Sequence, residues 1–455
     1  MAARFWVGGT GTWSSSNTTN WAATTGGAGG ESVPGAADTV TFDANSGTGF
    51  TVTVDTGYNP SVTSVTGGLA TVTLNLNDQT LTAQTFSFTG TATRTLAFGT
   101  SGQIIITGTT GTIWTSAITT NLSFTGNQVV NCTGSAASTR TLSVGTLSVA
   151  NSVSFNFASG TDTVNISGSC RDLNFTGFTG TLNSGVRTVS GNLTLGAGMT
   201  CASGAAQTTF VGTGASQTFT TNGVTFDVPV TITSTNPVIL NGILNSPTRA
   251  MTISTGGFDA SGYAVTVGSV SSNNSNLRTI NISNITVTLN LAGAMWNMDN
   301  SSNATIISSN STILLANNTT TSRNFRGGNL TYGNIVIGGN TSISLTEFEG
   351  NFTLGTLSST KTVAHTVAFT AGETTTMSGF TINGTAGNIV TISSLTAATH
   401  NLVLTGGGTV DVSYANISYS NASPANTWYA LTSNNTGWIF SESTSSGNFF
   451  TLLMS

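Results

Sequence analysis

The stretch Thr71-Val72-Thr73-Leu74-Asn75-Leu76 decides the fold. Polar and apolar side chains alternate along it, as they do along Thr51-Val52-Thr53-Val54. An extended strand sends successive side chains to opposite faces. This period therefore puts Val and Leu on one face and Thr and Asn on the other. Val153-Ser154-Phe155-Asn156-Phe157 and Val265-Thr266-Val267 repeat the pattern. Gly, Asn and Ser clusters interrupt these runs every few residues, which predicts many short strands joined by turns.

Composition narrows the class. The chain has 455 residues, 55 of them Gly, and only 5% are charged, against a usual ~25%. Ten Lys and Arg are spread over the chain against 15 acids, for a net charge of −5. That excludes the clustered basic surface a nucleic-acid partner needs. A hydrophobic fraction of 37% excludes charged disorder. Long stretches of Thr, Ser, Gly, Asn and Val disfavour an α-helical fold. Cys132, Cys170 and Cys201 are odd in number and widely spaced, so they give neither a disulfide framework nor a zinc spacing. Buried reduced thiols are expected. The start MAARFWVGG lacks the apolar stretch of a signal peptide, and no run of 18 apolar residues exists. Neither Sec export nor membrane insertion is expected.

A weak internal repeat is present. A polar-Arg-polar-aliphatic element recurs as Thr93-Arg94-Thr95-Leu96, Thr139-Arg140-Thr141-Leu142 and Val186-Arg187-Thr188-Val189. It returns as Leu277-Arg278-Thr279-Ile280 and, with lysine, as Thr360-Lys361-Thr362-Val363. The first three arginines are 46 and 47 residues apart (140 − 94 and 187 − 140). Repeats of this length indicate a solenoid, and a turn of about 23 residues makes each interval two turns. On that reading the arginines stack about 9–10 Å apart. Arg94 shares its face with Leu96 and Phe98, so its stem can lie in the core with its head on turn carbonyls or in water. The competing reading is a solvent-facing residue kept by repeat descent.

The ends differ from the middle. Trp6, Trp13, Trp21, Trp428 and Trp438 are five of the seven tryptophans. A solenoid needs atypical terminal units to plug its open core. We therefore expect an N-terminal cap or docking element over 1–45, a solenoid body over 46–410 and a C-terminal cap over 411–455. Trp6, Trp13, Trp21, Trp428, Trp438 and Phe440 are the capping and docking candidates. The expected fold is all-β, an elongated parallel β-solenoid (β-helix) of roughly 75 Å. The alternative is a string of β-sandwich domains.

Both ends also carry a family resemblance. The opening Phe5-Trp6-Val7-Gly8-Gly9-Thr10-Gly11-Thr12-Trp13, then Asn20-Trp21, Pro34 and Asp38-Thr39-Val40-Thr41-Phe42-Asp43, resembles a recurring start in glycine-rich phage and bacterial β proteins. The distal stretches Asn329 to Ile337, Ala371 to Phe380, Asn383 to Asn388, Thr427 to Ala430 and Asn435 to Phe440 are similar to the same group. These chains are tailed-phage virion proteins, tail-fibre-like or structural, and related bacterial surface proteins. The resemblance covers roughly 130 residues. It implies a structural or adhesive role, assembly in the host cytoplasm into a virion, other virion proteins as partners, and a homotrimer. It carries no catalytic residue.

Candidate chemistry is sparse. Glu347 and Glu349 share a strand face and are the closest carboxylate pair, the minimum for glycan hydrolysis. An exposed edge with two solvated acids explains them better. His365 and His400 are the two histidines, and no Ser-His-Asp set stands out. Asp38, Asp43 and Asn45 offer hard oxygen ligands for calcium, but their spacing fits Asx turns. Thr374-Thr375-Thr376 raises an ice-binding reading, which the irregular flanking runs disfavour. The sequence thus leads to a non-enzymatic virion component without cofactor or metal, most simply a fibre touching host-surface glycans. The alternatives are a capsid decoration protein or a bacterial surface adhesin.

Overall fold

The chain is described by a computed structural model over residues 1–135, 138–318, 320–340, 345–425, 427–430 and 437–440. It is a parallel β-solenoid. Among the described residues there is no α-helix, and one 3₁₀ turn spans Val149–Asn151. Strand after strand pairs in parallel with the next coil. The short contact of Phe5 and Trp6 with Ala22 and Trp21 is antiparallel. Parallel pairing removes the β-sandwich alternative, whose strands pair antiparallel.

Alternation of side chains explains the register. In one stack, strands Phe50–Val54, Val72–Asn75, Arg94–Ala97 and Leu122–Thr125 lie side by side. Val52, Leu74, Leu96 and Phe124 align in it, at steps of 22, 22 and 28 residues (74 − 52, 96 − 74, 124 − 96). All four are buried. Each such side chain gains about 1.5–3 kcal/mol on leaving water. A one-residue slip would send the whole row to solvent, which fixes the register. In a second stack Leu142, Ile166 and Phe86 with Trp114 do the same, and Trp114 lies flat on Phe86 at 4.7 Å.

The chain divides into two compact units, residues 1–249 with 255–259, and 250–254 with 260–455. The division falls inside the segment expected to be one body. Residues 1–45 are not separate from the coils. Strands Ala3–Trp6 and Thr39–Phe42 pair with each other, and the second continues in parallel onto Ser61–Gly67.

The recurrent arginines answer the question left by the sequence. Arg94, Arg140, Arg187 and Arg278 are at most 1% exposed, as is Arg323, which has the same setting in Ser322-Arg323-Asn324-Phe325. Each opens a strand with its side chain inward. The heads of Arg94, Arg187, Arg278 and Arg323 bind backbone carbonyls. Arg278 is the fullest case. Its Nε donates to Ser272 Oγ at 2.5 Å, and its terminal nitrogens donate to the carbonyls of Ser272, Asn276, Asn300 and Ser302 at 2.6–2.8 Å. Arg94 likewise binds the carbonyls of Phe88, Ala92, Ile118 and Thr120. Both reach back six residues to the end of the preceding strand and forward to the matching turn of the next coil.

The expected stacking of these arginines at two-turn intervals is wrong. Arg94 lies beside Val72 and Leu122, Arg140 beside Gly111 and Val164, and Arg187 beside Gly168 and Thr208. They occupy three different rows, and Arg140 and Arg187 meet the one strand Thr163–Asn174 at different positions, Val164 and Gly168. Coil length varies, from 28 residues at Trp114 to Leu142 down to 18 at Val164 to Leu182, so an interval of 46 does not return to one stack. Lys361 is buried in a turn and opens no strand. The cost of turning the chain is met at other corners by left-handed asparagines. Asn284 (φ 58°) and Asn310 (φ 53°) occupy neighbouring coils, joined by an amide hydrogen bond of 3.1 Å.

Arg140 differs from the others in binding a carboxylate. It grips Asp162 through two hydrogen bonds of 2.5 and 2.9 Å, with both side chains fully buried and Phe157 beneath the guanidinium. Removing one partner leaves a buried charge alone, which costs about 3–5 kcal/mol. Asp162→Ala should lower the unfolding free energy of the first unit by that amount in denaturant titration. Arg140→Met combined with Asp162→Leu should recover most of it. A loss below about 1 kcal/mol in the single variant would contradict the assignment.

Candidate functional site

The terminal tryptophans lie inside the coils. Trp6, Trp13 and Trp21 have no exposed surface and pack edge to face, with ring centres 5.0 and 5.3 Å apart. Phe42 joins them at 6.4 Å, and Trp6 Nε1 donates to the Gly9 carbonyl. At the other end, Trp428 and Trp438 lie 5.1 Å apart against Phe380. Trp428 is fully buried and Trp438 is 7% exposed. These five indoles fill interior space and have almost no surface to offer a partner. Phe440 ends a strand, Trp438–Phe440, that pairs in parallel with Trp428–Ala430; its side chain lies outside the described residues, as does the segment 441–455 of the expected C-terminal cap.

Glu347 and Glu349 do share a strand face. Asn324 and Arg326 stand opposite them on the neighbouring strand. The Asn324 amide donates to both carboxylates, at 2.5 and 2.6 Å, and Arg326 bridges Glu349 to Asp299. Burial, then the like charge of Glu349, raises the Glu347 pKa above its ordinary value. The arrangement is a cross-strand polar ladder, with each acid tied to a neighbour.

Asp38, Asp43 and Asn45 are occupied in turns. Asp38 accepts from the backbone of Ala2 and Gly35, which lowers its pKa, and Asp43 accepts from the backbone of Asn45. No group of three or more His, Cys, Asp or Glu is placed to hold a metal among the described residues. Cys132, Cys170 and Cys201 are free, and burial pushes each thiol up to about 12. Thr375 points inward, so Thr374-Thr375-Thr376 is no ladder. A regular outward hydroxyl row lies elsewhere, through Thr41, Thr66, Ser87, Thr115, Ser143 and Ser167.

The sequence missed a cleft on the first unit. Strand Thr163–Asn174 carries a β-bulge. Cys170 pairs with Val153 and Leu173 with Phe155, so Arg171 and Asp172 together face the single residue Ser154. A bulge breaks alternation and re-aims side chains. Here it turns two consecutive charged residues onto the outer face. Ser154 Oγ donates to Asp172 at 2.7 Å and accepts from Arg171 Nε at 3.0 Å. Arg171 also donates to Gln128 Oε1 and to the Asn127 carbonyl. Gln128 is itself buried and anchored on two carbonyls, those of Phe124 and Ala150. The pair borders a cleft of about 290 Å³, shared with Asn156, Asn174, Asn192 and Thr194. A larger cleft near Thr200 and Asn222 has no charged side chain in its lining.

No protein-family model matches the chain, and no curated protein or solved structure matches it.

Both histidines repeat the inward corner geometry. His365 meets Ser359 Oγ and the Val363 carbonyl, and His400 meets Ser394 Oγ at 2.8 Å, six residues back as for Arg278. His400 also lies flat on Phe369 at 4.9 Å, and its buried Nε2 has no partner. Burial drops its pKa to about 4. The unfolded chain takes up this proton near pH 6.5. The unfolded state therefore binds more protons between pH 6.5 and 4, and stability is lost as pH falls through that window. His365 is lowered by burial too and adds to the same slope. Thermal melts of the second unit should show this fall, and His400→Gln should flatten it. An unchanged slope in His400→Gln would contradict the assignment.

Proposed function

We propose that the protein is a non-enzymatic structural component of a tailed-phage virion, a fibre or appendage subunit that touches the host surface. One observation carries the reading, and it is where the basic side chains sit. Arg94, Arg140, Arg187, Arg278, Arg323 and Lys361 are buried. The other four of the ten are ion-paired: Arg4 with Glu31, Arg171 with Asp172, Arg249 with Asp227, and Arg326 with Asp299 and Glu349. Most of the cations serve the inside of the coil, and the outside carries mainly Thr, Ser and Asn with scattered acids and four ion-paired arginines. Such a surface suits weak, repeated contact with neutral host glycans and offers little to nucleic acid. Buried Lys and Arg also hide most trypsin sites, an asset for a part exposed outside the cell.

Homotrimeric assembly, docking onto other virion proteins and assembly in the host cytoplasm belong to the same reading. They rest on the resemblance of both ends to virion proteins. Quantitative mass spectrometry of purified particles tests it, with copy number taken against the major shell protein. A few to a few dozen copies per particle are expected. Hundreds would move the protein to capsid decoration. Absence from particles, with the protein found on cells, would overturn the reading in favour of a bacterial adhesin.

A further inference from the structure

We propose that the cleft at the bulge of the first unit is a binding site for a neutral saccharide chain, recognised by Arg171, Asp172 and a row of asparagines. The inference rests on the surface-binding role above and gives it a location.

The argument starts from fixed geometry. Arg171 and Asp172 are about one-third exposed, so their polar atoms reach solvent while their positions are held. Ser154 links the two from beneath, and buried Gln128 holds the guanidinium from the side. A site held by a rigid supporting shell loses little freedom on binding.

The unused hydrogen-bonding capacity then defines the ligand. Arg171 has five N–H groups, and three are engaged within the protein. Asp172 accepts from Ser154 and from the Asn192 backbone, which leaves lone pairs on both oxygens. The Asn174 and Asn192 side-chain oxygens are used by Thr176 and Thr218, which leaves their amide N–H groups facing out. Asn156 donates to Asn131 and keeps its oxygen. The cleft therefore presents donors and acceptors side by side. A hydroxyl group both donates and accepts, and a sugar ring carries several in fixed relation, so a polyol fits this alternation.

Charge and shape narrow the choice. Arg171 and Asp172 lie 3.5 Å apart and cancel. An anionic ligand would meet the carboxylate and a cationic one the guanidinium, so a neutral ligand is favoured. Val129 is the one aliphatic side chain in the lining, which gives an apolar peptide side chain little to bury in. Asn131, Asn156 and Asn174 are in register on successive strands. Strands are spaced ~4.8 Å apart, a step comparable with one ring of an extended sugar chain. A chain lying across the strands would meet one amide per ring. Each contact exchanges with water and is weak, so useful affinity comes from many copies.

The test uses the full chain on a printed array of neutral hexose and N-acetylhexosamine oligosaccharides, with sialylated and sulfated glycans alongside. Arg171→Gln, Asp172→Asn and Asn174→Ala are compared with Thr66→Ala on the outer face of another stack. Thermal melts confirm that each variant is folded; Asn174→Ala removes an outward amide and keeps the test open if a charged-pair variant unfolds. At least a tenfold loss of neutral-glycan signal is expected for the three cleft variants and none for Thr66→Ala. Unchanged binding in the folded cleft variants would overturn the site. Binding confined to acidic glycans, or to none of the printed set, would overturn the ligand class. These outcomes are independent of particle copy number, so the site can fail while the virion reading stands.

Discussion

A coiled strand has to turn, and its turns leave backbone carbonyls that need hydrogen-bond donors. This constraint governs the rest of the structure. An unpaired buried carbonyl costs about 1–3 kcal/mol, and the corner at Arg278 gathers four carbonyls on one guanidinium, that of Ser272 in a buried hydrogen bond and those of Asn276, Asn300 and Ser302 in half-buried ones. One inward arginine satisfies the whole set with a single planar group. Histidine does a lighter version: His365 meets one hydroxyl and one carbonyl, and His400 one hydroxyl. The cation is drawn inward by the geometry of the corner. Burial lowers the pKa of Arg278 and brings that of Arg323 down to about 10, which leaves Arg323 charged at neutral pH.

That use of the few cations has a consequence outside. Basic residues committed to corners cannot decorate the surface. The outer faces of the strands carry Thr, Ser and Asn, as in the row from Thr41 to Ser167. The exceptions are local and paired. One is the Asp299–Arg326–Glu349 ladder with Asn324 and Glu347, and another is the Arg171–Asp172 bulge. The first completes a regular strand pairing. The second breaks one, and for that reason it opens a cleft.

Much of the fold was legible in the sequence, because a period of two in side-chain polarity has one physical meaning. Val52, Leu74 and Leu96 fall in the core as their alternation requires. The inward side of Arg94 was also legible from its parity with Leu96. What held the arginine head was open, since water and carbonyls are equivalent in sequence. The stacking error had a different cause. The intervals between Arg94, Arg140 and Arg187 were regular, but coil lengths were not, and sequence spacing alone does not say which stack a residue joins. The corner roles of Arg323 and His400 are not legible, because Asn follows each where Thr follows in the repeat. The cleft was hidden for a related reason. Nothing in the local sequence marks Arg171 and Asp172; only the pairing of Val153 with Cys170 and Phe155 with Leu173 reveals the extra residue.

The inward cation as corner strut is the claim on which this account stands. Hydrogen–deuterium exchange of the native full chain, compared with Arg278→Leu, tests it directly. The account predicts lost protection in the strands around this corner, at Arg278–Asn281 and Ala304–Ile307. Strands of the first unit, such as Phe50–Val54 and Val72–Asn75, should exchange as in the parent protein. Unchanged protection at 278–307 would contradict it, because an arginine that ties together four turn carbonyls of two neighbouring coils cannot be replaced by an apolar side chain without local opening.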